Sequence, residues 1–329
     1  MIYNPITKQD SPDPFITYDE ETEYYYCMHT AHAMVNDEKH SVLKLSRAKN
    51  VSNVVDGEYI IILTQGEGKH GIYFNMWAPE LFKANDGKWY IYASGFTEPK
   101  IVWNSLKMFV LRSRTNDPFD GFEFIKEFDE LSCAFDSSVC TLQDGKTYMC
   151  YSQNMYAYGF THYEQRLFVR EMLSPTELGN KFAEISKADM PFELSKPNEK
   201  INEGPFFVHN QNRLFIVYSA NGCSNEDYCL GILEYIGGEI CNHTSWKKHS
   251  QPFLYKSDKL FGPGHASFFY SPDKTELWCA FHAILDLNDN QIFKTRFACI
   301  NKVAFDSNGL PMMGKAKDFE FSPPSHNAQ

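Results

Sequence analysis

The 329-residue chain has no long hydrophobic run, no surplus of basic residues, no CxxC pair and no convincing amphipathic helix. Each absence excludes something. No stretch approaches about 18 consecutive apolar residues, so a transmembrane helix is not expected. Met1 to Phe15 holds no basic segment followed by an apolar run, so the sequence gives no signal peptide. Lys and Arg number 31 against 42 Asp and Glu, and the formal net charge of −11 argues against nucleic-acid or anionic-membrane partners. Nor does any segment imply a protein partner. Without a CxxC pair there is no zinc-ribbon spacing. The nine cysteines are odd in number, and Cys27, Cys150, Cys279 and Cys299 fall inside predicted strands. They read as small buried hydrophobes in a reducing compartment. With no leader in this sequence, this predicts a cytoplasmic protein, or a secreted one if a leader has been cleaved off. The best helical candidate, Pro175 to Ala188, contains Gly179 and reads better as a loop plus an outer strand.

What the chain does have is aromatic residues, 16% of the total, with 27 Phe and 19 Tyr. Such enrichment favours strands. Five aromatic strands stand out: Tyr24-Tyr25-Tyr26, Trp89-Tyr90-Ile91-Tyr92, Thr147-Tyr148-Met149, Leu214-Phe215-Ile216 and Leu277-Trp278-Cys279. Their markers Tyr25, Tyr90, Tyr148, Phe215 and Trp278 are spaced by 65, 58, 67 and 63 residues. Two further apolar segments follow each marker, the last pair being Thr295 to Ile300 and Phe319 to Phe321. Turn signals such as Asn85-Asp86-Gly87 and Asp144-Gly145 separate the first two strands of a repeat. Four short strands repeated five times predict an all-β, five-bladed β-propeller with four antiparallel strands per blade, one domain over residues 1–329. A sandwich with a second domain is the competing all-β reading, but it leaves the repeat spacing unexplained.

Twelve or thirteen positions before the markers lies a chemically loaded residue: Asp13, Asp136, Glu203 and His265, with Trp77-Ala78-Pro79-Glu80 in the remaining repeat. On the innermost strand of each blade, these residues would converge near one mouth of the central channel. Three carboxyls at one place suit glycoside hydrolysis. One protonates the leaving oxygen, another activates water or attacks, and a third supplies negative field.

Five stretches carry a family resemblance: Asp13-Pro14-Phe15, Trp77-Ala78-Pro79-Glu80-Leu81, Phe135-Asp136-Ser137-Ser138, Asn202-Glu203-Gly204-Pro205 and Gly262-Pro263-Gly264-His265. In this order they resemble glycoside hydrolase family 43, the five-bladed propeller enzymes acting on arabinose- and xylose-containing polysaccharides. The resemblance implies inversion, with Asp13 as general base, Glu203 as general acid and Asp136 raising the pKa of Glu203 and orienting it. Gly262 to Phe269 and the region from Thr295 to Pro311 are similar to the branch of exo-acting α-L-arabinofuranosidases on α-1,5-linked arabinan. A β-xylosidase, an endo-arabinanase and a sugar-binding propeller are the alternatives. Loops at residues 29–40, 96–106, 153–165 and 284–294 would decide between a closed pocket and an open cleft. Phe15 and Trp77 are candidate walls of the sugar pocket. Arg296 and His29 are candidate contacts to substrate. The resemblance also places His265 on the axis, beside a structural calcium ion held mostly through waters or beside a plain water, while the chemistry needs no cofactor. Gly66 to Gly71 reads as a plain loop, since a phosphate cradle needs a strand–loop–helix context.

Overall fold

Aromatic and β-branched residues set the strands, and glycines with left-handed backbone turn them back, as at Gly87 (φ 79°) and Gly145 (φ 82°). The computed structural model describes residues 3–66, 74–159, 163–291 and 293–318. Among these residues the chain is all-β, with strands joined by loops and single-turn 3-10 helices and with no α-helix.

The first sheet holds β1 (Phe15–Asp19), β2 (Tyr24–Met28), β3 (Ala31–Val35), β4 (Glu38–Ala48) and β5 (Glu58–Thr64), in the order β1-β2-β4-β3 with β5 also on β4. A regular meander follows: β6 (Phe74–Lys83), β7 (Trp89–Phe96), β8 (Leu106–Ser113) and β9 (Phe122–Glu127). The third group is β10 (Ala134–Thr141), β11 (Thr147–Asn154), β12 (Tyr163–Ser174) and β13 (Glu177–Ser186). The fourth is β14 (Glu199–Asn210), β15 (Arg213–Ala220), β16 (Cys229–Tyr235), β17 (Trp246–Lys248) and β18 (Leu254–Tyr255). A short parallel pairing of Tyr163–Gln165 with Glu199–Ile201 joins these two groups. The last sheet is β19 (Phe261–Tyr270), β20 (Leu277–Ile284) and β21 (Phe297–Lys302), followed by the short strands β22 (Ala304–Phe305), β23 (Pro311–Met312) and β24 (Gly314–Lys315).

The first strands pack in a closed cycle: β1 on β6, β6 on β10, β10 on β14, β14 on β19, and β19 back on β1. Apolar clusters fill the spaces between adjacent sheets, with Tyr26, Leu43, Met76, Ile91 and Phe109 between the first and second. Each fully buried side chain of this kind contributes about 1.5–3 kcal/mol. Residues 4–11 run along β21. The Ile6 and Ser11 amides donate to the carbonyls of Ala298 and Arg296, and the Asn4 side chain bonds the backbone of Ile300.

Each expected aromatic strand is a strand, and Pro175 to Ala188 contains β13 as anticipated. Two details differ. The β3–β4 hairpin was not expected; its alternation is weak because His32 and Met34 face solvent. The outer strand expected over Gln251 to Tyr255 is only β18, since Pro252 has no amide hydrogen for a ladder. The outer strand expected at Phe319 to Phe321, and Glu67 to Gly71 of the glycine-rich loop, lie outside the described residues.

Candidate active site

Every strand of the inner cycle has a left-handed residue at the same place: Asp13 (φ 58°) just before β1, Ala78 (φ 41°) in β6, Asp136 (φ 51°) in β10, Gly204 (φ 53°) in β14 and His265 (φ 50°) in β19. Strand pairing shifts there, between Trp77 and Glu80, Phe135 and Ser138, Glu203 and Phe206, and Gly264 and Ser267. These are β-bulges, which re-aim a side chain out of the regular alternation. A non-glycine residue held in this backbone costs about 1–3 kcal/mol, and such strain gathers at functional sites.

The bulges open onto one cavity of about 610 Å³, whose lining includes Asp13, Trp77, Asp136, Glu203, His265 and Arg296. The residues expected from the repeat spacing therefore do meet. Trp77 stands in an aromatic wall, with ring centroids 5.0 Å from Phe96, 6.1 Å from Trp103 and 6.3 Å from Phe135.

Asp13 is surrounded by polar groups. Thr30 Oγ1 donates to Oδ2 at 2.7 Å, and Arg296 Nη1 lies 3.4 Å from Oδ1. Nδ1 of His265 and Nδ1 of His282 each lie 3.4 Å from the same Oδ1. Burial alone would raise the pKa of this carboxyl, but His265, Arg296 and His282 outweigh it and hold Asp13 well below the usual carboxylate range. Burial pushes His282 down to about 4 and lowers His265 too, so both imidazoles are neutral near pH 7 and Arg296 is the standing cation.

Glu203 has the opposite environment. Burial raises its pKa to about 7, helped by the charge of Asp13 and opposed by a hydrogen bond from Tyr228, whose hydroxyl donates to Oε1 at 2.8 Å. Asp136 Oδ2 accepts from the Gly204 amide at 3.1 Å and from Ser152 Oγ at 3.4 Å. Burial and the nearby Glu203 push Asp136 well above its ordinary range. Asp136 and Glu203 thus hold a proton between them near neutrality, beside Asp13, which stays ionised. Glu80, on β6 across the register shift from Trp77, is also buried and raised well above its usual range by burial and by Asp136.

Two expected contacts are corrected. Phe15 does not line this cavity; its ring packs on Phe206 at 6.1 Å and faces a second cavity on the far side of the bulges. His29 does not line it either: it is buried, its Nδ1 donates to the Thr30 carbonyl at 3.0 Å, and burial lowers its pKa to about 4. Arg296 touches Asp13 itself, and its buried Nε has no hydrogen-bond partner among the described residues. His265 offers one nitrogen, already facing Asp13. Calcium draws six to eight oxygen ligands, and the described residues hold no group of three or more His, Cys, Asp or Glu side chains able to hold a metal. The residues present do not fit a protein-held calcium ion.

Sequence reasoning missed Thr30, Tyr228 and His282. Thr30 bridges two bulges, accepting from the Ala78 amide at 2.9 Å while donating to Asp13. Nothing in the repeat spacing marks these residues; the glycines at 262 and 264 were the available signal, as a Cβ at Gly264 would collide with the Tyr228 ring.

The geometry has relatives. An extracellular exo-α-(1→5)-L-arabinofuranosidase of Streptomyces avermitilis is 28% identical over 94% of this chain and 63% of its own length. An enzyme of the same name from Streptomyces chartreusis is 27% identical over 85% of this chain and 81% of its own. The chain thus spans less than two thirds of the first relative. The crystal structure of an α-L-arabinofuranosidase from Lactobacillus brevis superposes with a TM-score of 0.84 at 24% identity, covering 98% of both chains, and so shares the fold. The expectation of a cytoplasmic protein is overturned, because both Streptomyces relatives are named extracellular and point to secretion. Free cysteines were a poor guide to compartment here: Cys27, Cys150 and Cys279 are fully buried, and burial raises their thiols, which suppresses the reactive thiolate anywhere. The profile of glycosyl hydrolases family 43 matches residues 2–311, and the chain belongs to that family.

Proposed function

We propose that this chain is an exo-acting, inverting α-L-arabinofuranosidase built on a single five-bladed propeller domain over residues 1–329, with four strands per blade. The closed cycle β1-β6-β10-β14-β19 supports the five blades. One observation carries the activity: a single cavity holds an ionised carboxylate tied to Arg296 and Thr30, and a second carboxyl, Glu203, poised to carry a proton near pH 7. That is an acid and a base separated by environment.

In this reading Asp13 takes a proton from water as the oxygen attacks the anomeric carbon of a terminal arabinofuranose. Glu203 gives its proton to the departing glycosidic oxygen. Burial and the charge of Asp13 favour the protonated form of Glu203, and Asp136, anchored by the Gly204 amide, orients Glu203 and shares the proton with it. The products are arabinose of inverted configuration and a shortened acceptor. Asp13 is left protonated and Glu203 ionised, and exchange with solvent resets both. The two carboxyls should stand roughly 6.5–9.5 Å apart, leaving room for the water. No metal enters the chemistry.

Exo action is supported by the rim. His32 and Lys39 of the β3–β4 hairpin, Ile101, Gln165 of β12 and Phe293 line the cavity from separate elements, and its volume lies within the range of about 300–1,000 Å³ typical of ligand pockets. The arabinose assignment rests on the named activities of the Streptomyces relatives. Sugar release from arabino- and xylo-oligosaccharides, measured in parallel, tests it. Arabinose from chain ends is the expected product. Xylose alone would make the chain a β-xylosidase, internal fragments of arabinan an endo-enzyme, and no release of sugar a binding propeller.

A further inference from the structure

Two fully buried rings stand between the proposed acid and the proposed base. Tyr228 precedes β16 and His282 lies in β20; both have zero exposure. Their rings stack 5.4 Å apart, 5° from parallel. Tyr228 Oη donates to Glu203 Oε1 at 2.8 Å. On the other side, the Asp13 amide donates to His282 Nδ1 at 3.1 Å. The result is one continuous line: Glu203, Tyr228, His282, Asp13. The chain makes room for it with glycine, since a Cβ at Gly264 would collide with the Tyr228 ring.

We infer that the stacked Tyr228–His282 pair is a spacer that sets the separation of Glu203 from Asp13 and fixes which oxygen of Glu203 carries the transferable proton. Neither residue touches substrate; both are positioning residues, and the inference rests on the roles proposed above for Asp13 and Glu203. The chemistry follows from the donor count. Tyr228 Oη has one hydrogen, and it is spent on Oε1. A protonated Glu203 therefore carries its hydrogen on Oε2, the oxygen left free for the leaving group. His282 accepts through Nδ1, so its ring hydrogen sits on Nε2, and the imidazole acts as a neutral wedge under the Asp13 backbone. That backbone is left-handed at Asp13 (φ 58°), so a fixed acceptor beneath its amide holds a strained turn in place.

Besides Tyr228, the charged and titratable groups around Glu203 are Asp13, Arg296, Asp136, Tyr163 and the Cys223 thiol. Tyr228→Phe removes the hydroxyl from this set and leaves the stack in place.

The test uses the full chain and three readouts. Side-chain carboxyl titration of Glu203 by 13C NMR needs no substrate. The midpoint should move up in Tyr228→Phe, because the hydroxyl bond favours the ionised form; an unmoved midpoint overturns the inference. With an arabino-oligosaccharide, kcat should fall about tenfold to a hundredfold, the worth of a hydrogen bond to a charged group, while KM stays within about twofold. With an aryl arabinofuranoside, whose leaving group needs little acid help, the loss should shrink. Equal losses on both substrates would mean a merely structural tyrosine and would also overturn it. Gly264→Ala, whose Cβ would collide with the Tyr228 ring, should lower kcat on both substrates by disturbing the stack that separates acid and base; a variant with wild-type kcat counts against the spacer. Glu203→Ala and Asp13→Ala run alongside. If Glu203→Ala kept wild-type turnover of the oligosaccharide, the assigned roles would fail, and the NMR midpoint would still judge the spacer alone.

Discussion

Each inner strand serves two cavities, and the two differ sharply. On one side of the bulges lie Asp13, Trp77, Asp136, Glu203 and His265. Two or three residues further along the same strands lie Phe15, Glu80, Ser138, Phe206 and Phe268, lining a cavity of about 570 Å³. In the second cavity the groups answer one another. Phe206 packs on Phe15 and Phe268, and Lys83 reaches Asp19 at 2.7 Å and Glu21 at 3.1 Å. In the first, Asp13 and Glu203 share one arginine, and Arg296 Nε and Gln165 Oε1 have no hydrogen-bond partners among the described residues. The same strands thus make a satisfied cavity and an unsatisfied one. Unsatisfied buried groups are costly in a resting protein and useful only where a ligand completes them.

Breaking the first cavity should have the largest effect. Asp13→Ala and Glu203→Ala should each lower kcat by a factor on the order of 10²–10⁴, with far-UV circular dichroism unchanged. A substrate with a good leaving group should partly rescue Glu203→Ala and leave Asp13→Ala inactive. The pH profile of kcat/KM sharpens the contrast within that cavity. Its alkaline limb should fall near pH 7, where Glu203 loses its proton. Its acidic limb should lie below the usual carboxylate range, because Asp13 is held down by its neighbours. Arg296→Met removes the standing cation, so the acidic limb should move to higher pH; an unmoved limb would separate Arg296 from the base.

The second cavity should respond through stability instead. Glu80 has a raised pKa in the folded state, so its contribution is fully present below the unfolded value of 4.5 and is lost as pH rises through the folded one. Glu80→Gln should therefore raise the thermal midpoint relative to wild type more at pH 8 than at pH 5, with kcat within about threefold, as expected for a neutral group replaced by a neutral group. Lys83→Met should matter least. Its partners are partly solvated, such pairs are worth about 0–1 kcal/mol, and turnover should be unchanged. A large loss of turnover in Lys83→Met would break the division between the cavities.

The repeat spacing foretold which residues of β6, β10, β14 and β19 would meet, because a fixed offset on equivalent strands puts side chains at equivalent places. It could not foretell the bulges. Asp, Asn and His tolerate left-handed backbone better than most residues, so Asp13, Asp136 and His265 were compatible with it, but compatibility does not predict a bulge. Phe15 went wrong for this reason: the left-handed backbone at Asp13 separates it from a residue two positions on. Thr30, Tyr228 and His282 come from second strands and connections, where no repeat constrains the choice and only long-range packing gives a residue its role. The β3–β4 hairpin escaped because its outward residues blur the alternation that marks a half-buried strand.

The run of residues 4–11 along β21 has a consequence in time. Asn4 meets Ile300 across 296 positions of chain. Asp13 and Arg296 are brought together by the same seam, 283 positions apart. A chain made from its N-terminus can complete every earlier sheet while this seam is still open, and long closures of this kind are slow steps in folding. Asp13 receives its cation only when the seam closes. Catalytic competence should therefore arrive last in refolding, after the bulk of the β-structure has formed, and a cut in the seam should silence the enzyme before it unravels the sheets.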